Sequence, residues 1–222
     1  MSEFPLPSPT SPLYPTSPLS PASPRGKKLI AALAAIVVAG VTLAGCAAAP
    51  DTGATGADQL AETSDILAAY DLDRLDVVEV IELLDTMPVS DRPSGLLASV
   101  QPGALVLKDE SGRESRMPLP EDEVYVSVAP FRDQTHECHF HSLTTCLGEL
   151  SDAEVDVTLT TDDGDVLIDG DRRTYDNGFI GLWVPRGIEA TLTIEHEGQA
   201  GTALISTMTA DDPTCVTTLQ LL

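Results

Sequence analysis

Three of the four histidines and two of the four cysteines in this 222-residue chain fall within eleven residues: His136-Glu137-Cys138-His139-Phe140-His141-Ser142-Leu143-Thr144-Thr145-Cys146. A third cysteine, Cys215, follows far downstream, and Cys46 stands far upstream. Thiolates and neutral imidazoles are soft to borderline donors, suited to Cu(I), Cu(II) and Zn(II) rather than to Mg or Ca. Several other chemistries fail on spacing. His136-Glu137 does not open a His-Glu-x-x-His helix, because Phe140 stands where the second histidine is required. No Cys-x-x-Cys exists, which speaks against a thioredoxin-type site, and the paired short spacings of structural zinc are missing. A disulfide is the common fate of exported cysteines. Among Cys138, Cys146 and Cys215, however, any single bridge leaves one thiol over, which a purely structural role does not explain.

Other polar groups read as surface. Asp162, Asp163, Asp165, Asp169 and Asp171 lack the terminal glutamate of a calcium loop and fit solvated hairpin turns better. His196, at a strand end, reads as a surface residue and not a ligand. The chain has no Gly-x-Ser-x-Gly elbow, phosphate-binding loop or dinucleotide fingerprint. With 35 acidic against 12 basic residues and a formal charge of -23, it would repel a phosphate backbone, so nucleic acid is excluded as a partner.

The first 45 residues describe export. Eight of the 17 prolines lie in residues 1–24, every third position from Pro9 to Pro24, as in a solvated polyproline II segment. Arg25, Lys27 and Lys28 then precede an apolar run from Leu29 to Leu43. As a helix this run reaches only about 22 Å, short of a hydrocarbon core of about 30 Å. A positive start, a short apolar stretch and small residues before a cut are the parts of a signal peptide. Leu43-Ala44-Gly45-Cys46 resembles a bacterial lipobox, which implies acylation of Cys46 and a membrane-anchored, extracytoplasmic lipoprotein. Several acyl chains anchor stably where one is marginal. Residues 46–64, rich in Ala, Gly, Thr and Asp, read as a flexible tether.

The elements that must position the Cys/His run lie on both sides of it, in a folded part that starts near Asp65. Val77, Val80, Ile81 and Leu84 recur at helical spacing, with Asp73 as the expected cap and Pro88 as the stop. Strands are predicted over 95–100, 104–108, 113–117 and 124–128, with Asp109-Glu110-Ser111-Gly112 as a hairpin turn. Beyond the run, Val155, Val157 and Leu159 alternate with polar residues, and Asp162-Asp163-Gly164-Asp165 turns the chain into 166–168. Asn177-Gly178 is a further turn signal, and 179–184, 189–195, 202–208 and 216–221 complete the strands. The fold class is therefore α+β. A small helix-plus-antiparallel-sheet domain spans 65–130, and a β-sandwich-like domain spans 131–222.

His136-x-Cys138-x-x-His141-Ser142-Leu143-Thr144-x-Cys146-x-Gly148-Glu149-Leu150 resembles the signature of the CueP family of bacterial envelope copper-binding proteins. Two further stretches agree: Asn177-Gly178-Phe179-Ile180-x-x-Trp183-Val184-Pro185-Arg186, and Pro213-Thr214-Cys215 followed by Val216 to Leu221. The resemblance implies copper binding in the service of copper tolerance. Cys138, Cys146 and Cys215 match the family's copper-binding cysteines, with His136 and His141 as nearby imidazoles; His139 is extra to the pattern. It also implies an N-terminal dimerisation unit, similar to that of disulfide isomerases, and hence a homodimer. Reduction of Cu(II) to Cu(I) and delivery to a superoxide dismutase client are implied in the same way. The lipobox and proline-rich leader depart from the family.

Ligand chemistry gives a matching order of events. Cu(II) meets imidazoles first, and thiolates then reduce it and retain Cu(I). Two thiolates carry two electrons, so a Cys146–Cys215 disulfide is the expected oxidised product, and the chain is at most a stoichiometric Cu(II) reductase and not a turnover enzyme. The competing class is an envelope thiol–disulfide redox protein with incidental metal binding. The Cys-x₇-Cys spacing with interleaved histidines fits a metal better than exchange.

Overall fold

The computed structural model describes the backbone from residue 56 to Leu222, with side chains from residue 63. The proline-rich leader, the apolar run and the Cys46 lipidation site lie outside the described residues. Among the described residues no helix is long and apolar enough to cross a membrane. Helix α1 (Gly56–Ala69) begins inside the segment read as a tether. Its last turns bury Ile66 and Leu67, an anchorage that the small-residue composition of 46–64 does not announce.

Helix α2 (Val77–Thr86) is capped by Asp76 and not by Asp73. The Asp76 carboxylate accepts the Glu79 N–H at 2.9 Å, and the Glu79 carboxylate accepts the Asp76 N–H at 3.0 Å. Asp76 prevails because it alone has a glutamate three residues on to close the box. Val80, Ile81 and Leu84 are buried as their spacing requires, each contributing about 1.5–3 kcal/mol. Met87 is extended because Pro88 follows, which ends the helix.

Strands β1 (Leu96–Gln101), β2 (Ala104–Asp109) and β3 (Glu114–Pro118) form an antiparallel sheet in the order β1-β2-β3. With α1 and α2 they enclose one core. The remaining strands are β4 (Glu123–Val128), β5 (Glu154–Thr161), β6 (Val166–Arg173), β7 (Ile180–Pro185), β8 (Glu189–His196), β9 (Gln199–Ser206) and β10 (Cys215–Val216). They make two sheets, β10-β4-β7 and β6-β5-β8-β9. Val124, Val126, Val128, Ile180 and Leu182 of the first share a second core with Val157, Leu159, Leu192 and Ile194 of the other. That is the α+β architecture with a sandwich-like β half that the sequence implies.

β4 contributes to both cores. Its period-2 alternation sends Val124, Val126 and Val128 into the sandwich and Tyr125 into the helical core. Residue 130, the expected domain boundary, lies just past β4, whose partners β7 and β10 lie beyond it. The final strand is shorter than expected: only Cys215–Val216 pairs with β4, in parallel. Leu219 and Leu221 stay buried, and this stretch exchanges backbone hydrogen bonds with Phe131 instead of joining the ladder.

Candidate metal centre

Two loops carry the Cys/His run and Cys215, and each is fastened to a sheet edge. The Val100 N–H donates to the His141 carbonyl and the Leu143 N–H to the Ala98 carbonyl, both at 2.8 Å, so residues 141–143 lie along the edge of β1. On β4, the Ser127 N–H donates to the Thr214 carbonyl and the Ala129 N–H to that of Val216, both at 2.9 Å. The Thr214 and Cys215 N–H groups donate to the His139 carbonyl at 2.9 and 3.1 Å, joining the two loops. Arg92 Nη1 donates to the Cys146 carbonyl at 2.8 Å. The Glu149 carboxylate accepts the N–H groups of Arg132, Asp133 and Gln134 at 2.8–3.1 Å and fixes the approach to His136.

The result is a cluster of donors. One ligand atom each from His136, Cys138, Cys146 and Cys215 lies within 4.8 Å of all the others. Cys138 and Cys215 form a disulfide, and Cys146 is a free thiol with its sulfur 3.7 Å from that of Cys138. The bridge therefore differs from the expected Cys146–Cys215 pair, because Cys146 is turned toward the Ser142 N–H, which its sulfur accepts at 3.4 Å. Exposure falls from His136, which is exposed, through half-buried Cys138 and Cys146 to buried Cys215.

His141 stands apart from that group of four. It is fully buried, with Nδ1 3.8 Å from the Cys215 sulfur, Nε2 3.0 Å from Asp85 Oδ1, and its ring against Phe179 with centroids 4.5 Å apart. Burial opposes a charge on this ring, but the Asp85 carboxylate outweighs it and pushes the His141 pKa up to about 9. Burial likewise raises the Cys146 thiol, yet contact with His141, the Ser142 N–H and the Arg92 charge hold it below the ordinary thiol range. Asp85, despite its burial, is held below the usual carboxylate range by His141 and its hydroxyl and amide donors.

Of the other histidines, His139 contributes its carbonyl to the loop junction while its ring packs on Phe140. His196 lies outside the group, with Nδ1 2.6 Å from the Glu154 carbonyl. Asp162, Asp163 and Asp165 occupy the β5–β6 turn, where Gly164 takes φ +91°. Sequence reasoning missed Asp85, Arg92 and the buried Asn177 side chain. Asp85 had a signal: it stands four residues after Ile81, a charged residue in the apolar stripe of α2. Asn177 was legible only as a turn former.

Sulfur with imidazole is the donor set that Cu(I) and Cu(II) favour. The profile of the CueP family, periplasmic copper-binding protein CueP, matches residues 79–220. Among solved structures, the crystal structure of S.CueP is 34% identical, with a TM-score of 0.67 over 72% of this chain and 97% of that one. No curated protein sequence matches the chain. Fold, cysteine cluster and profile agree, and the chain belongs to the CueP family of periplasmic copper-binding proteins.

Proposed function

We propose that this protein captures copper outside the cytoplasm, reduces Cu(II), holds Cu(I) on sulfur and passes it on, in the service of copper tolerance. The observation that carries the reading is the approach of three sulfurs and the His136 imidazole to within 4.8 Å. Exposed His136 is the first donor that an arriving Cu(II) meets. Oxidation of the Cys138 and Cys215 thiols to their disulfide releases two protons to solvent and passes two electrons to two Cu(II), giving two Cu(I). Cys146 remains as the thiol that retains Cu(I), beside His136 and His141. An envelope dithiol must then reduce the bridge, so the capacity is stoichiometric. The lipobox at Leu43–Cys46 supports a membrane anchor, and the family resemblance supports a dimer formed through the N-terminal segment and a copper-requiring client such as a superoxide dismutase.

The proximity of the Cys146 sulfur to the bridge, 3.7 Å from Cys138, favours the second reading, thiol–disulfide exchange with incidental metal binding. Copper titration with counts of free thiol separates the two. The first reading expects Cys138→Ser, Cys146→Ser and Cys215→Ser each to weaken Cu(I) binding by more than the roughly 10–100-fold that loss of an outer partner costs. In a competition assay on the reduced chain, Cys215→Ser binding Cu(I) as tightly as the parent would sink the three-sulfur site.

A further inference from the structure

We infer that Asp85 is a positioning residue of the copper site: from helix α2 it fixes the His141 ring so that Nδ1 faces the sulfurs. The inference rests on the copper reading above. It starts from saturation of the carboxylate. Oδ1 accepts from His141 Nε2 at 3.0 Å and from Asn177 Nδ2 at 2.9 Å. Oδ2 accepts from the Tyr125 hydroxyl at 2.8 Å and the Ser127 hydroxyl at 3.1 Å. A carboxylate has about four acceptor positions, so four donors from four places in the chain leave Asp85 no alternative orientation.

The geometry then dictates the imidazole. An ionised carboxylate only accepts, so the nitrogen that touches it carries a proton, and Nε2 is that nitrogen. Nδ1 is left on the side of the sulfurs, 3.8 Å from Cys215. A flip of the ring would put the Cε1 carbon against Asp85 in place of Nε2 and lose the hydrogen bond, and Phe179 closes one face. Its backbone is held as well: the His141 N–H donates to the Thr214 hydroxyl at 3.1 Å, and the carbonyl accepts from Val100. A carboxylate that orients an imidazole toward a metal site is a recognised outer-shell device. Here the carboxylate comes from 56 residues upstream of its histidine, so seating of α2 sets the geometry of the site.

The test uses the full, reduced chain and Cu(I) competition, arranged as a double-mutant cycle of Asp85→Asn and His141→Ala. Asp85→Asn should weaken Cu(I) binding roughly 10–100-fold in the parent and have no further effect in the His141→Ala background. An equal loss in both backgrounds, or no loss in the parent, overturns the proposal and leaves Asp85 a purely structural residue. A second measurement needs no variant: long-range ¹H–¹⁵N spectra of the metal-free parent should show a proton on Nε2 of His141. A bare Nε2 overturns it equally. If Cys146→Ser and Cys215→Ser keep the parent's affinity, the copper reading itself has failed, and the ring spectrum still decides how Asp85 holds His141.

Discussion

At the scale of single residues, His141 and Cys146 form a proton account that closes on itself. The folded-state pKa of His141 is raised to about 9 against an unfolded value of about 6.5. Its stabilisation is therefore complete below about pH 6.5 and is lost as pH rises through about 9. Cys146 has the opposite sign: its thiol is depressed, so its contribution is present above about pH 8.5 and is lost as pH falls through the folded value. In the parent the two slopes have opposite signs. Metal-free Cys146→Ser should show what the Asp85 contact alone sustains, with urea midpoints that fall more steeply than the parent's as pH rises above about 6.5. Adding His141→Ala should flatten that slope; an equally flat Cys146→Ser profile would mean that the ring is uncharged. The grouping of His136, Cys138 and Cys146 was legible because histidines and cysteines are few and crowded in the sequence. Asp85 is easily passed over as one carboxylate among 35 acidic residues, and only its place four residues after Ile81, in the apolar stripe of α2, marks it.

At the scale of elements, the site depends on a place where two backbones cross. A Cβ added at Gly148 would stand 2.6 Å from the Gly178 carbonyl oxygen, and one added at Gly178 would stand 2.6 Å from that of Gly148. The Gly148 N–H donates to the Asn177 carbonyl at 2.7 Å across the same junction. Gly178 also takes φ +79°, a left-handed conformation that disfavours any side chain. Gly148→Ala should therefore cost about 1–3 kcal/mol in denaturant unfolding and, by displacing Cys146 two residues away, weaken Cu(I) binding. Gly103→Ala, where an added Cβ meets nothing within 4 Å, should do neither. If both variants match the parent, the crossing does not hold the loop. Strand positions were readable because period-2 alternation survives burial on one face, as in the β5 run Val155, Val157 and Leu159. The start of α1 and the shortness of β10 were not, since both depend on what packs beside them: Ile66 and Leu67 in one core, Phe131 beside Leu219 and Leu221 in the other case.

At the scale of the whole molecule, the Cys138–Cys215 bridge spans 77 residues and ties the final strand back to the loop after β4. Closing a loop of that length removes unfolded-state entropy worth about 4.5 kcal/mol by the chain-entropy relation. The oxidised protein should melt well above its reduced, metal-free form, and Cu(I) should restore part of the difference by joining the same sulfurs. Equal melting temperatures for the oxidised and reduced forms would mean that the bridge links groups already held together in the unfolded chain. The formal charge of -23 has no part in this, since net charge says nothing about the fold. The position of Cys215 also sets a timetable. A chain is made N-terminus first, so His136, Cys138 and Cys146 exist before β10 does. Only when the last strand is laid along β4 does the Cys215 sulfur arrive, so the four-donor cluster is complete only in a finished, folded chain.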